Sequence, residues 1–392
     1  MNYDWGSTSA IAELQGRVSK GQPEAELWMG THRRAPSPLE QGLSEASDLR
    51  ALIASDPVRL LGDEVARRFG DLPFLLKVLA ADRPLSLQAH PTVEQARLGF
   101  EREERAGIEV DAPTRNYKDN HHKPELILAL SDFWALSGFR PPEESLELFR
   151  VLIPGATRTF AELLLTFERK QNGAGIEGFF RGLLALPLED RRVALFILKR
   201  EACCDSLRGE ALRVAPWVLK LAQSYPDDSG VLASLLLNLV QLRPGKAMYL
   251  PAGNLHAYLS GLGLEIMASS DNVMRGGLTS KHIDTEELCS ILHFEPLVPL
   301  LQGGSVQVFN EGQCTSYPCP VQEFDLSIVE ANRWELRTEG PEIWLVLEGE
   351  ATLSGLDAPL IRGEQIFISA GTPLKCEGPV RLARARVPLD VP

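Results

Sequence analysis

Four side chains of this sequence could together hold a metal ion. Gln88 and His90 lie two apart in Pro84-Leu-Ser-Leu-Gln-Ala-His90, a run that reads as a strand. Residues two apart on a strand point to one face, so the amide and the imidazole enter the same space. Lys123 and Glu125, in Lys123-Pro-Glu125, share a face for the same reason. His256 follows the turn residues Gly253-Asn254. Gln88, His90, Glu125 and His256 would make a site of two nitrogens and two oxygens, suited to zinc, iron or manganese. The chain has seven histidines, and most histidines bind no metal. Spacing alone therefore leaves a purely structural reading of each one open.

A second group carries positive charge. Arg275 and Lys281 stand around the pair Gly276-Gly277. Glycine lets the backbone approach a ligand closely, and the arginine fork suits phosphate or another oxyanion. An isolated Arg-Gly-Gly reads more readily as a solvated turn with incidental charges.

Strands have to position these groups. Residues 1–140 mix short strand-like runs, such as Pro73-Phe-Leu-Leu-Lys-Val-Leu79, with helical pieces such as Thr92 to Arg105. Residues 141–240 read as helical, with apolar spacing over Phe160 to Arg169, Arg191 to Arg200 and Ser229 to Leu242. From Arg243 the pattern returns to short strands and glycine turns, which suggests a jelly roll. Gly245-Lys-Ala-Met-Tyr-Leu-Pro-Ala-Gly-Asn-Leu-His256 can be set over Gly363-Glu-Gln-Ile-Phe-Ile-Ser-Ala-Gly-Thr-Pro-Leu374. His256 then falls opposite Leu374, so only the first segment could carry a metal there. Any two hairpin arms with an Ala-Gly turn would give a similar match.

The net charge is −13. An acidic chain is a poor partner for nucleic acid or an anionic membrane, although a few clustered cations can still hold a small anion. Six cysteines without a CxxC pair, and an opening Met1-Asn2-Tyr3-Asp4-Trp5-Gly6 without signal-peptide character, predict a reduced cytoplasmic setting. No apolar run is long enough to span a bilayer.

The chain also resembles the type I mannose-6-phosphate isomerases, or phosphomannose isomerases. The resemblance rests on Asn2 to Ser7, Ala25 to Thr31, Pro73 to Leu79, Leu85 to Pro91, Asn116 to Glu125, Tyr249 to Tyr258 and Ser270 to Thr279, in family order. It implies one zinc ion per chain on Gln88, His90, Glu125 and His256. It implies a mostly β fold of two cupin jelly-roll barrels plus an α-helical domain. The catalytic zinc cupin would comprise 1–140 and 241–300, the helical insert 141–240, and a C-terminal degenerate cupin without metal 301–392. The implied reaction interconverts mannose 6-phosphate and fructose 6-phosphate through a cis-enediol, a step shared by GDP-mannose synthesis and mannose catabolism.

Arg275, Lys123, Glu265 and Asp271 resemble the family's catalytic residues. Ser86, Lys77, His122, Tyr258 and Lys281 resemble its substrate-lining residues. Arg275 would stabilise enediolate or phosphate, and Lys123 would take part in proton transfer or serve as counter-charge to Glu125. A monomer acting on a small sugar phosphate, without nucleic acid or membrane, is the expectation. Two other classes compete. A metal cupin oxygenase would more often show a His-x-His pattern where this chain has Gln88-Ala-His90, and iron would betray it. A non-catalytic sugar-phosphate-binding cupin would keep binding without turnover.

Overall fold

The computed structural model of the chain describes residues 1–40 and 45–389. The three C-terminal residues of the expected domain 301–392, and 41–44 of the first, lie outside the described residues. Helices and antiparallel strands take nearly equal shares, 30% and 31%, so the chain is mixed where a mostly β fold was expected. Besides the expected helix Val93–Arg105, the N-terminal part adds helices Leu49–Ser55 and Asp63–Phe69.

Ten strands form the first sheet: β1 Glu26–Met29, β2 Phe74–Ala81, β3 Leu87–Ala89, β4 Glu125–Ala129, β5 Phe133–Phe139, β6 Leu237–Leu242, β7 Ala247–Leu250, β8 His256–Ala268, β9 Met274–Gly277 and β10 Leu300–Gln302. The path runs β1-β2-β8-β4-β7-β10, with β3, β5, β6 and β9 branching from it through β8. β8 belongs to two halves. Its end from Gly261 to Ala268 pairs with β2, and much of it also pairs with β4. Its start pairs with β3 and β5, His256 lying opposite Gln88 and Ser137. Gly261 sits at the change-over with φ of +127°, and a Cβ there would lie 2.7 Å from the Asp132 carbonyl oxygen. Only glycine combines that backbone conformation with so close an approach.

Alternation along the strands explains where polar groups go. Leu76, Val78 and Ala80 on β2, Leu126 and Leu128 on β4, and Leu264 and Ile266 on β8 face one apolar core. Leu79, Ala81, Ile127, Ala129, Met248, Leu250 and Tyr258 face the opposite way, into the slot between the two halves of the sheet. Lys77, Glu125 and Glu265 lie in step with this second set. The slot is therefore plugged by apolar side chains at one end and polar at the other.

Each half is supported from outside. Helices Pro142–Leu152, Arg158–Arg169, Gly173–Leu184, Leu188–Glu201 and Gly209–Ser224 gather around Phe149, Phe160, Phe167, Phe179 and Phe180. That core includes Leu87, Ala89, Ala257 and Leu259, which turns the intervening Gln88, His256 and Tyr258 toward the slot. The segment expected to be helical through Leu242 is helix Ser229–Ala233, one short 3-10 turn, and then β6. Its apolar run suits either structure, and pairing with β5 decides it.

The second sheet has seven strands: β11 Ser305–Phe309, β12 Gly312–Tyr317, β13 Asp325–Arg337, β14 Glu342–Leu353, β15 Leu360–Ile361, β16 Gln365–Ile368 and β17 Pro373–Arg386. One face packs with Leu326, Ile343, Leu345 and Ala383 against the outer side of β2, β4 and β8. Its other face encloses Val329, Trp344, Val346, Leu374 and Leu382. Among the described residues no helix is long and apolar enough to cross a membrane.

Candidate metal and substrate site

His90, Glu125 and His256 meet at the polar end of the slot, each 1% exposed. His90 Nε2 lies 3.3 Å from one carboxylate oxygen of Glu125, and His256 Nε2 lies 3.2 Å from the other. The far side of each ring is already engaged. His90 Nδ1 is 2.7 Å from the Asn272 carbonyl oxygen, and His256 Nδ1 is 3.0 Å from that of Asn254. A carbonyl only accepts, so both Nδ1 atoms carry the proton and donate it. Each Nε2 then presents a lone pair to an anionic oxygen, and two lone pairs repel.

His90 Nε2 and Glu125 Oε2 are buried without a hydrogen-bond partner. Burial, followed by the Lys123 charge, pushes the His90 pKa down against the pull of Glu125. Burial alone would raise the Glu125 carboxyl, but the Lys123 ammonium opposes it and the carboxyl is held well below the usual range. Two imidazoles whose Nε2 atoms face one buried carboxylate are a fitting donor set for a divalent cation.

The backbone ties the two histidines together. Gly253 N–H donates to the His90 carbonyl at 2.8 Å. Helix Val93–Arg105 starts directly behind His90 on a Thr92–Gln95 capping box, which fixes where the strand ends. Gln88 points its amide nitrogen at His256 Nε2, 3.4 Å away.

Beside the cluster, Lys123 Nζ lies 3.5 Å from Glu125. Lys77 Nζ is 3.0 Å from Glu265 and 3.9 Å from Glu26, over the ring of Trp28. Burial would lower the Lys77 pKa, but Glu265, Glu26 and Glu125 together raise it, so this lysine stays charged. Tyr258 Oη donates to Glu265 at 2.9 Å, and burial with that carboxylate pushes its pKa well up. Ser86 is half-buried just ahead of β3.

Two of the expected residues, Asp271 and His122, are engaged by other partners, and a third, Lys281, is exposed. Asp271 is bonded to His32 Nε2 at 3.0 Å and to Arg33 at 3.3 Å. Burial would raise its carboxyl, yet the His32 bond and the His32 and Arg34 charges hold it far below the usual range. His122 Nε2 meets Glu323, on the approach to β13, at 2.8 Å. Lys281 is at the exposed rim. Desolvation and the positive charges of Arg275, Lys118 and Arg34 lower its pKa.

Arg275 is half-buried opposite Gln88, and among the described residues no carboxylate lies within ion-pair distance of it. Desolvation lowers its pKa, with no acidic group opposing. Lys118 is half-buried and likewise has no such partner among the described residues. Sequence reasoning missed Lys118, Asn254, Asn272, Trp28 and Glu323. The first four lie inside runs already marked as motifs, but two of them act through backbone carbonyls, which carry no signature of residue type.

A family model for the catalytic domain of type I phosphomannose isomerase matches residues 1–142. Mannose-6-phosphate isomerase from Escherichia coli is 41% identical, over 98% of this chain and 96% of its own. The human mannose-6-phosphate isomerase is 35% identical, over 94% and 91%. A zinc-bound crystal structure of a mannose 6-phosphate isomerase superposes with a TM-score of 0.88 at 38% identity, covering 99% of this chain and 97% of the other. A variant of the Salmonella typhimurium phosphomannose isomerase gives 0.89 at 37%, with the same coverage. The relatives and the shared fold are those of an isomerase. The chain belongs to the type I phosphomannose isomerase family.

Proposed function

We propose that the chain interconverts mannose 6-phosphate and fructose 6-phosphate through a cis-enediol, with one zinc ion on Gln88, His90, Glu125 and His256. The observation that carries this reading is the pair of Nε2 lone pairs turned onto a buried, ionised Glu125. Turning over the Gln88 amide exchanges nitrogen for oxygen in the same place and completes the set. Bound there, zinc would supply Lewis-acid polarisation of the sugar carbonyl.

The chain's own residues do the rest. Arg275, Lys281 and Lys118 gather positive charge with no carboxylate at ion-pair distance among the described residues, which suits a phosphate or a developing oxyanion. Lys123, beside Glu125, is placed to hold or return a proton at the sugar oxygens. Lys77 pairs with Glu265 in the slot at 3.0 Å, and Tyr258 orients it. Asp271 and His122, turned to His32 and Glu323, position the loops that carry their neighbours. The apolar plug around Leu79, Ile127 and Met248 closes the far end of the slot to water.

In this reading 1–140 and 241–300 form the catalytic cupin, with β6 belonging to it from Leu237. The helical lobe is an insert, and 301–392 is a second cupin that backs the first. The six unpaired cysteines suit a cytoplasmic setting.

Metal analysis tests the reading. Protein purified without chelator is expected to contain one zinc per chain. Iron in its place, with no isomerase activity, would move the reading to oxygen chemistry. Lys118→Ala is expected to raise KM for the sugar phosphate several-fold with zinc unchanged.

A further inference from the structure

Asn272 lies in the loop between β8 and β9, and its residue is 0% exposed. Its main-chain oxygen is the acceptor for His90 Nδ1. Its side chain makes no contact with the metal cluster. It reaches instead across to the loop 118–121. Oδ1 accepts from Lys118 N–H at 2.7 Å and from Asp119 N–H at 3.3 Å. Nδ2 donates to the carbonyls of Asp119 and His121, each at 2.8 Å. The amide thus uses both its donors and both its acceptor sites. Asp119 strengthens the same junction, accepting from Ser270 Oγ and from Asp271 N–H, each at 2.8 Å.

We propose that Asn272 is a positioning residue for metal loading: its side chain clamps two loops so that its own carbonyl holds His90 in the metal-binding tautomer. The inference rests on the metal reading above. The physical step is short. A buried carbonyl aimed at Nδ1 forces the proton there and leaves the Nε2 lone pair toward Glu125. That aim is only as good as the anchoring of residue 272.

The two histidines differ in this respect. The acceptor for His256 Nδ1 is the carbonyl of Asn254, two residues away in the same turn. The acceptor for His90 is 182 residues away in sequence. The acceptor of His90 is thus brought in from a distant loop by the clamp, whereas that of His256 belongs to its own turn, which Asn254 Nδ2 ties to Ser137 Oγ at 3.0 Å. The clamp also joins metal loading to the loop that carries Lys118 and leads into Lys123 and Glu125.

The test uses the full chain stripped of metal, with zinc itself as the probe in competition with a chromogenic chelator. Asn272→Ala is expected to weaken zinc binding about 10–100-fold, the range found for groups that orient metal ligands. Nitrogen-15 NMR of the metal-free protein is expected to show His90 as the Nδ1–H tautomer in the natural chain and as a mixture in the variant, while His256 is unchanged. Thermal unfolding of the metal-free forms separates orientation from general weakening. Zinc affinity equal to that of the natural chain, or an unchanged His90 tautomer, would overturn the proposal and leave the metal reading standing. A natural chain that takes up no zinc would overturn both. Should Asn272→Ala fail to fold, Asp119→Ala loosens the clamp from the opposite loop. The same His90 shift is then expected with a smaller loss of zinc affinity, and unchanged affinity there would count against the clamp.

Discussion

Glu125→Ala protein is expected to emerge without zinc and without isomerase activity. Among the described residues Glu125 is the only carboxylate in the cluster, and both imidazoles address it. Without it the remaining donors, Gln88, His90 and His256, are neutral. Three neutral donors hold a divalent cation far less firmly than a set that includes a buried anion. Removing Lewis-acid polarisation forfeits several kcal/mol of transition-state stabilisation, or about 10³-fold in rate. His256→Ala is expected to follow the same course. Metal content and turnover are measured on one preparation. Stoichiometric zinc in both variants would mean that the ligands lie elsewhere.

Arg275→Ala is expected to behave in the opposite way toward the metal. It should keep its zinc and lose about 10²–10³-fold in kcat/KM, the loss typical of removing one preorganised oxyanion donor. The residue is a half-buried cation without an ion-pair partner among the described residues. Such a group adds nothing to folding and is desolvated at a cost. Its removal should therefore leave the unfolding midpoint unchanged or slightly raised, the mark of a residue placed for ligand and not for stability. Arg275→Lys keeps the charge and loses the fork, so it should fall between the two. Near-normal turnover in Arg275→Ala would remove this arginine from the chemistry.

Part of this arrangement was legible in the sequence because strands repeat every two residues. Gln88 with His90, and Lys123 with Glu125, fall on shared faces on that ground, but spacing alone does not select the neutral Gln88 amide as a metal ligand; the family resemblance does. The same period separates Lys77 from Leu76 and Val78 and sends it into the slot. Other features resist reading for physical reasons. Leu237–Leu242 is an apolar run that suits helix or strand, and only its pairing with β5 settles which. The 182-residue link from His90 to Asn272 ends on a backbone oxygen that every residue type possesses. Asp271 and His122 stand in motifs that point to catalysis. Which way they face depends on His32 and Glu323, which are remote in sequence.

The most direct measurement is a coupled assay of fructose 6-phosphate formation from mannose 6-phosphate by the purified chain. It is run as purified, after chelation, and after zinc is returned. The account predicts activity that disappears on chelation and recovers with about one zinc per chain. Turnover that survives complete removal of metal would contradict it, as would a zinc-loaded protein that binds the sugar phosphate and never converts it.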